Sequence, residues 1–215
     1  MSFQLPDALQ TPDDSAALKL LSRYFNSPLG SSEFHTGSQF DAWDSTGTRR
    51  ADNNRFTPDD TVAVTFLSVQ VRPMAAIQLL RDRAERFSEL LTEVGADREL
   101  VDDDSVLRDD WVGWTLMSEL QALPDVGPVT ASKLFARKRP KLRPIYDDVV
   151  AAVTGSRALW KPLYGALQTD HLHDRLLQLR DQTGLGEHIS ALRIFDVIAW
   201  REGKDKGLGQ RRSTR

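Results

Sequence analysis

Residues 123–147 read LPDVGPVTASKLFARKRPKLRPIYD: a proline- and glycine-bearing turn, a helix opened by Pro128, a basic stretch, and an aspartate twenty residues beyond Gly127. This segment constrains the chain more than any other. Two helices joined by a tight hairpin leave backbone N–H groups without partners at the positive end of the second helix. Such groups hold a phosphate without help from a side chain. The backbone at Val126, Gly127, Val129 and Thr130 is therefore the candidate contact, while Pro128 gives up a donor where the loss is small. Asp147 stands before Asp148-Val149-Val150, where its carboxylate can cap a helix and be held as the anion by that helix's N–H groups.

The rest of the chain is punctuated as helices. Thr11-Pro12-Asp13-Asp14 and Thr57-Pro58-Asp59-Asp60 each combine a capping hydroxyl, a proline at the first helical position and acid in the first turn. The residues after the two copies diverge at once, so they share capping chemistry and are not a duplication. The first predicts a helix to about Phe25 with Leu18, Leu21 and Phe25 on one stripe; the second opens the apolar run VAVTFLSVQV, whose pattern fits a buried strand equally well but whose cap favours a helix. Pro73 starts an amphipathic helix through Ile77, Leu80, Ala84, Phe87 and Leu91, which Gly95 ends. A helix over 111–120 leads into the hairpin. Leu159-Leu163-Leu167 and Leu172-Leu176-Leu179 mark two more, and 187–200 forms a final, mostly buried helix. The stretch 27–56, with Gly30, Gly37, Gly47 and Asn53-Asn54, shows turn signals and little periodicity and reads as an ordered loop onto which Phe34, Phe40 and Trp43 pack.

Composition removes several classes of function. The chain of 215 residues is 40% hydrophobic and contains no cysteine, which excludes disulfides, thiolate zinc sites and cysteine-ligated iron–sulfur clusters. The N-terminus has neither a basic leader nor an apolar core, and the run 62–71 is broken by Thr65, Ser68 and Gln70. A cytoplasmic protein without a membrane span is expected. The formal net charge is −3, but charge is unevenly distributed: 133–143 carries Lys133, Arg137, Lys138, Arg139, Lys141 and Arg143 with no acid. Such a run can track a nucleic-acid strand or simply be a solvated face. His171 and His173 with Asp170 and Asp174 diverge on a helix and cannot converge on one ion, so no metal site is expected. Asp196, inside IFDVIAW, is expected to form a buried ion pair with Arg193 or another basic residue.

Leu123-Pro124-Asp125-Val126-Gly127, Thr130-Ala131 and Pro144-Ile145-Tyr146-Asp147 together resemble the helix–hairpin–helix DNA glycosylase superfamily, in which an LPGVG hairpin is followed by an aspartate in a short apolar context. Upstream, Leu67-Ser68-Val69-Gln70 is similar to the L-S-x-Q that carries a wedge residue in that family. The chain as a whole also resembles an uncharacterised bacterial family with the same hairpin. The resemblance implies an all-α, two-lobed helical fold with a central helix–hairpin–helix and no iron–sulfur cluster. One lobe would span 57–142, the second 8–56 plus 143–203, and 204–215 would be a disordered basic tail.

The same resemblance implies binding to duplex DNA; no cofactor and no metal are expected from the residues. Breaking an N-glycosidic bond passes through an oxocarbenium-like sugar that a carboxylate stabilises, and this role falls to Asp147. Gln70 would be the wedge, Tyr146 and Trp114 would stack on a flipped base, and Lys133, Arg137, Lys138 and Arg139 would follow the strand. Where bifunctional members carry a nucleophilic lysine, this chain has Val129, so a monofunctional DNA glycosylase is implied. Asp125 replaces the first hairpin glycine and sets a negative charge beside the phosphate site. A non-catalytic DNA-binding module and a protein-interaction scaffold are the alternative readings.

Overall fold

A computed structural model describes residues 3–209, and among them there are eleven α-helices and no strand. The chain divides into two compact units, one formed by Thr36–Ile145 and the other by the residues up to His35 together with those from Tyr146 onward. The 36–56 stretch, expected with the lobe containing 143–203, clusters instead with the hairpin helices.

In the unit containing both chain ends, α1 (Asp7–Gln10), α2 (Ser15–Phe25), α8 (Asp148–Thr154) and α10 (Leu172–Gln182) pack on α11 (Ala191–Asp205), and α9 (Trp160–Leu167) packs on α10. Helix α11 is buried on nearly every side, so its polar residues need partners inside the unit. Arg193 pairs with Asp196, as expected, and donates from Nη2 to the Tyr24 hydroxyl at 2.8 Å. Glu202 accepts from the amides of Asp7 and Ala8, both at 3.1 Å, and so caps α1. Helix α8 approaches α11 closely because Gly203 has no side chain: a Cβ there would lie 2.4 Å from Val149 Cγ1.

Two expectations in this unit are corrected. The first TPDD does not open a helix at Pro12; α2 begins at Ser15, whose amide and hydroxyl both donate to Asp13. Its buried face is Ala17, Leu20, Leu21 and Tyr24, leaving Leu18 and Phe25 half-buried. The chain beyond Gly203 does not fray either: α11 continues to Asp205, and Lys206 bridges Asp7 and Glu202 at 2.9 and 2.6 Å. The remainder of the expected basic tail, 210–215, lies outside the described residues.

In the other unit, α3 (Pro58–Thr65), α4 (Pro73–Ile77), α5 (Ala84–Val94), α6 (Val112–Gln121) and α7 (Pro128–Lys138) pack in the order α3 on α7, α7 on α6 and α6 on α5. The second TPDD forms a capping box, with Asp60 accepting from the Thr57 amide at 2.8 Å. Helix α3 then stops at Thr65, well before the end of the apolar run 62–71, because Ser68 takes a left-handed conformation with φ 61°. The helix expected from Pro73 to Gly95 is interrupted by a π-helical turn over Gln78–Asp82, marked by a bond from the Arg83 amide to the Gln78 carbonyl at 2.8 Å. An unbroken α-helix would carry its second half roughly a quarter turn away. With the extra residue absorbed, Phe87, Leu90, Leu91 and Val94 continue the buried face begun by Ala75 and Leu79, and Ile77 is left exposed.

Candidate nucleic-acid interface

Helices α6 and α7 are joined by a tight turn held by bonds from Leu123 N to Leu120 O at 3.2 Å and from Val126 N to Leu123 O at 3.1 Å. Leu123 and Val126 are buried and anchor the turn, whereas Asp125, Gly127 and Pro128 face solvent. Asp125 is the residue that reverses the chain, with φ 59°, and aspartate tolerates that conformation better than most side chains. Its carboxylate lies 3.6 Å from Arg72 Nη1, both groups being exposed. Gly127 is the N-cap of α7 with extended backbone, and a Cβ added there would meet no atom within 4 Å. Glycine at this position is therefore not required by the protein's own packing. Of the other backbone positions, Val129 is half-buried and Thr130 buried.

The basic stretch that follows is turned inward. Lys133, Arg137, Lys138, Arg139 and Arg143 are all buried, and only Lys141 is half-exposed. Lys133 donates from Nζ to the Leu67 carbonyl at 2.9 Å and so caps the turn that ends α3. Arg137 donates to the carbonyls of Phe40 at 2.6 Å and of Trp43, and from Nε to Asp60 at 3.2 Å. Lys138 reaches Asp60 at 2.5 Å and the Asp52 carbonyl at 3.1 Å. Arg139 donates to Leu91 O at 2.7 Å and Gly95 O at 2.6 Å at the end of α5, and to Asn53 O at 2.8 Å. Burial draws the Arg137, Lys138 and Arg139 cations below their ordinary pKa values, with Asp60 opposing this at Arg137 and Lys138, and Asp97 at Arg139.

The physical reason lies in the 36–56 stretch. Irregular backbone that packs against a core leaves carbonyls that must find donors, and arginine and lysine offer donors only. The basic residues at the end of α7 supply them, and so these side chains do not form the phosphate-facing stripe expected of them. Asp59 completes the attachment by accepting from Ser45 Oγ at 2.6 Å, Ser45 N at 2.7 Å and Trp43 Nε1 at 3.2 Å. The Ser45 hydroxyl first, then the Thr46 and Ser45 amides, hold its carboxyl below the usual range.

Gln70 is exposed on the non-helical stretch between α3 and α4. Trp114 is half-buried, donates from its indole to the Arg108 carbonyl at 2.9 Å, and meets the Trp111 ring edge to face at 5.9 Å. Asp147 belongs to the other unit. It is the N-cap of α8, and its Oδ1 accepts from the Val149 amide at 2.9 Å, the capping bond expected of it. Tyr146 beside it is half-buried, and burial together with Asp148 raises its phenol above the ordinary value.

A family model described as a family of unknown function, DUF6308, matches residues 17–203. The chain belongs to this family. No curated protein and no solved structure matches it. The DUF6308 match takes in α2 through most of α11, and with them the turn, the buried cations and Asp147. Among the described residues, no group of three or more histidine, cysteine, aspartate or glutamate side chains could hold a metal ion, and no helix is long and apolar enough to cross a membrane.

Sequence reasoning missed the carboxylates that organise the DUF6308 fold, Asp59 and Asp60. The available signal was their adjacency behind Thr57 together with an uncompensated basic run of similar size downstream. It also missed Asp97, whose carboxyl is pushed up to about 6 by burial while Oδ1 accepts from the Lys141 amide at 3.0 Å. A lone acid in a polar turn gives no such warning.

Proposed function

We propose that this protein binds duplex DNA through the backbone at the start of α7, as the resemblance of its hairpin to helix–hairpin–helix DNA glycosylases suggests. The observation that carries the reading is the open space over Gly127. That position is exposed, a side chain there would touch nothing in the protein, and it opens the positive end of an eleven-residue helix. Binding of this kind uses backbone N–H groups and few cations. With the basic residues of α7 committed inside the fold, the salt dependence is shallow, a log–log slope of about −1 to −2 at roughly −0.9 per neutralised phosphate. Fluorescence anisotropy of a labelled duplex across a salt series tests it; no binding at low salt favours a protein-interaction scaffold.

A monofunctional N-glycosylase reaction is the second reading, favoured by the capping bond at Asp147. A carboxylate beside the reacting sugar stabilises an oxocarbenium-like transition state, and the bond from the Val149 amide fixes where this one stands. A screen of duplexes with mismatched, alkylated, deaminated and oxidised bases, scored for abasic sites, tests this reading. Asp147→Asn retains the cap and is expected to abolish abasic-site formation; equal activity in the variant removes Asp147 from the chemistry.

A further inference from the structure

The ring of His35 fastens the end of the segment after α2 to its unit. Residues 28–33 are exposed, Leu29 at 84%, and the backbone bonds within the segment are short turns from Ser31 N to Pro28 O and from Phe34 N to Ser31 O, both at 3.1 Å. Glu33 acts on Arg201 through its charge, and among the described residues the side-chain hydrogen-bond and ring contacts of 28–35 with the rest of the unit are those of His35. Its imidazole stacks on Tyr24 of α2 with centroids 5.2 Å apart and planes 14° apart, and stands edge-on to Trp200 of α11 at 5.8 Å. His35 Nε2 lies 3.0 Å from Arg201 Nη1.

A guanidinium has donors and no acceptor. The contact therefore exists only when Nε2 carries a lone pair, that is, when His35 is neutral with its hydrogen on Nδ1. Protonation would set N–H against N–H and place a second positive charge beside Arg201. The groups around the ring make that costly. Helix α11 contributes Arg201, Asp205, and Lys204 at 5.5 Å over the Trp200 ring, while α2 contributes Tyr24 and Arg23. Asp205 is already shared, accepting from Arg23 at 2.8 Å and from Arg201 at 3.4 Å. Glu33, on the segment itself, is the acid that opposes these cations.

We propose that His35 is an acid-sensitive latch: neutral, it fastens the 28–35 segment to α2 and α11; protonated, it releases that segment. Burial first, then Arg201 and Arg23, lower the pKa of His35 from its ordinary value of 6.5. The sign follows from linkage. A depressed histidine contributes stability that is present above the unfolded pKa and lost as pH falls through the folded one. Segments with few buried contacts open first when such a contribution is lost. The latch is independent of DNA binding.

The test is a pH titration of the full chain by long-range ¹H–¹⁵N NMR of the histidine rings, with the 28–35 backbone resonances followed in parallel. Expected are the Nδ1-protonated tautomer of His35 at neutral pH, a midpoint below 6.5, and backbone shifts over 28–35 with the same midpoint. A midpoint at or above 6.5, an Nε2-protonated tautomer, or a segment that ignores the titration would overturn the latch. His35→Gln keeps an acceptor for Arg201 and cannot titrate, so the pH response of 28–35 is expected to vanish. Persistence of that response in the variant would also overturn it, and if the variant fails to fold the wild-type titration decides alone.

Discussion

The Arg137 guanidinium and the Asp60 carboxylate form a buried ion pair, Nε to Oδ1 at 3.2 Å, in which Asp60 also closes the capping box of α3 and receives Lys138. One carboxylate thus ties the start of α3 to the end of α7, and through Arg137 to the carbonyls of Phe40 and Trp43. Arg137→Ala removes the donors and leaves Asp60 short of a partner, and is expected to destabilise by roughly 3–5 kcal/mol. Arg137→Lys recovers little of this, because an ammonium cannot span the carboxylate and two carbonyls as a planar fork does. Denaturant unfolding measures both. A change below about 1 kcal/mol, typical of an exposed ion pair, contradicts the assignment.

Gly203→Ala places a Cβ 2.4 Å from Val149 Cγ1 and 2.9 Å from Val153 Cγ2. Both neighbours are β-branched and stiff. Overpacking is expected to cost about 1–3 kcal/mol, against a helix-propensity gain of up to about 1 kcal/mol. Adding Val149→Ala to the variant opens the space, and the double-mutant cycle is expected to show a coupling energy of at least 0.5 kcal/mol.

Asp97→Asn gives a pH-dependent gain. The carboxyl of Asp97 is raised from 3.8 to about 6 in the fold, so its contribution to stability is full below 3.8 and lost as pH rises through about 6. At pH 7 the charged form is carried at a penalty. Asparagine keeps an acceptor for the Lys141 amide without the charge. The variant is expected to be more stable at pH 7 by the order of 1–2 kcal/mol, after allowance for solvent on the half-exposed side. The advantage closes by about pH 4, which thermal unfolding at the two pH values measures.

Asp125 carries the left-handed turn between α6 and α7 and sits 3.6 Å from Arg72. Asp125→Asn and Asp125→Gly keep the turn, whereas Asp125→Val is expected to cost about 1–2 kcal/mol in backbone strain. On the DNA-binding reading, Asp125→Asn also removes a charge that repels phosphate and frees Arg72. A several-fold rise in duplex affinity is expected, with a salt slope steeper by about 0.9.

The helices were legible where local rules act alone. The helix start at Thr57-Pro58, the repeat of Leu159, Leu163 and Leu167, and the N-cap at Asp147 depend on residues within one or two turns, and all appear in the fold. What was hidden depends on partners far away in sequence. Lys133, Arg137, Lys138 and Arg139 read as a surface run because charge is usually solvated. Apart from the Asp60 carboxylate, they donate to carbonyls of 40–67 and 91–95, which no side-chain pattern announces. The π-helical turn was hidden for a related reason, since Ile77, Leu80 and Ala84 fit an α-helical stripe and only the core beneath them decides the register.

The most direct measurement is the duplex affinity of Gly127→Asp against wild type, with unfolding measured on the same samples. Aspartate is a favoured N-cap, the backbone at Gly127 is extended, and a Cβ there meets nothing, so the fold is expected to be unharmed or slightly more stable. The added charge occupies the place proposed for phosphate. A loss of about tenfold or more in affinity, on the order of 1.4 kcal/mol, with stability maintained is the expected result. Unchanged duplex affinity in a stably folded Gly127→Asp variant would contradict the proposal that the start of α7 binds the DNA backbone.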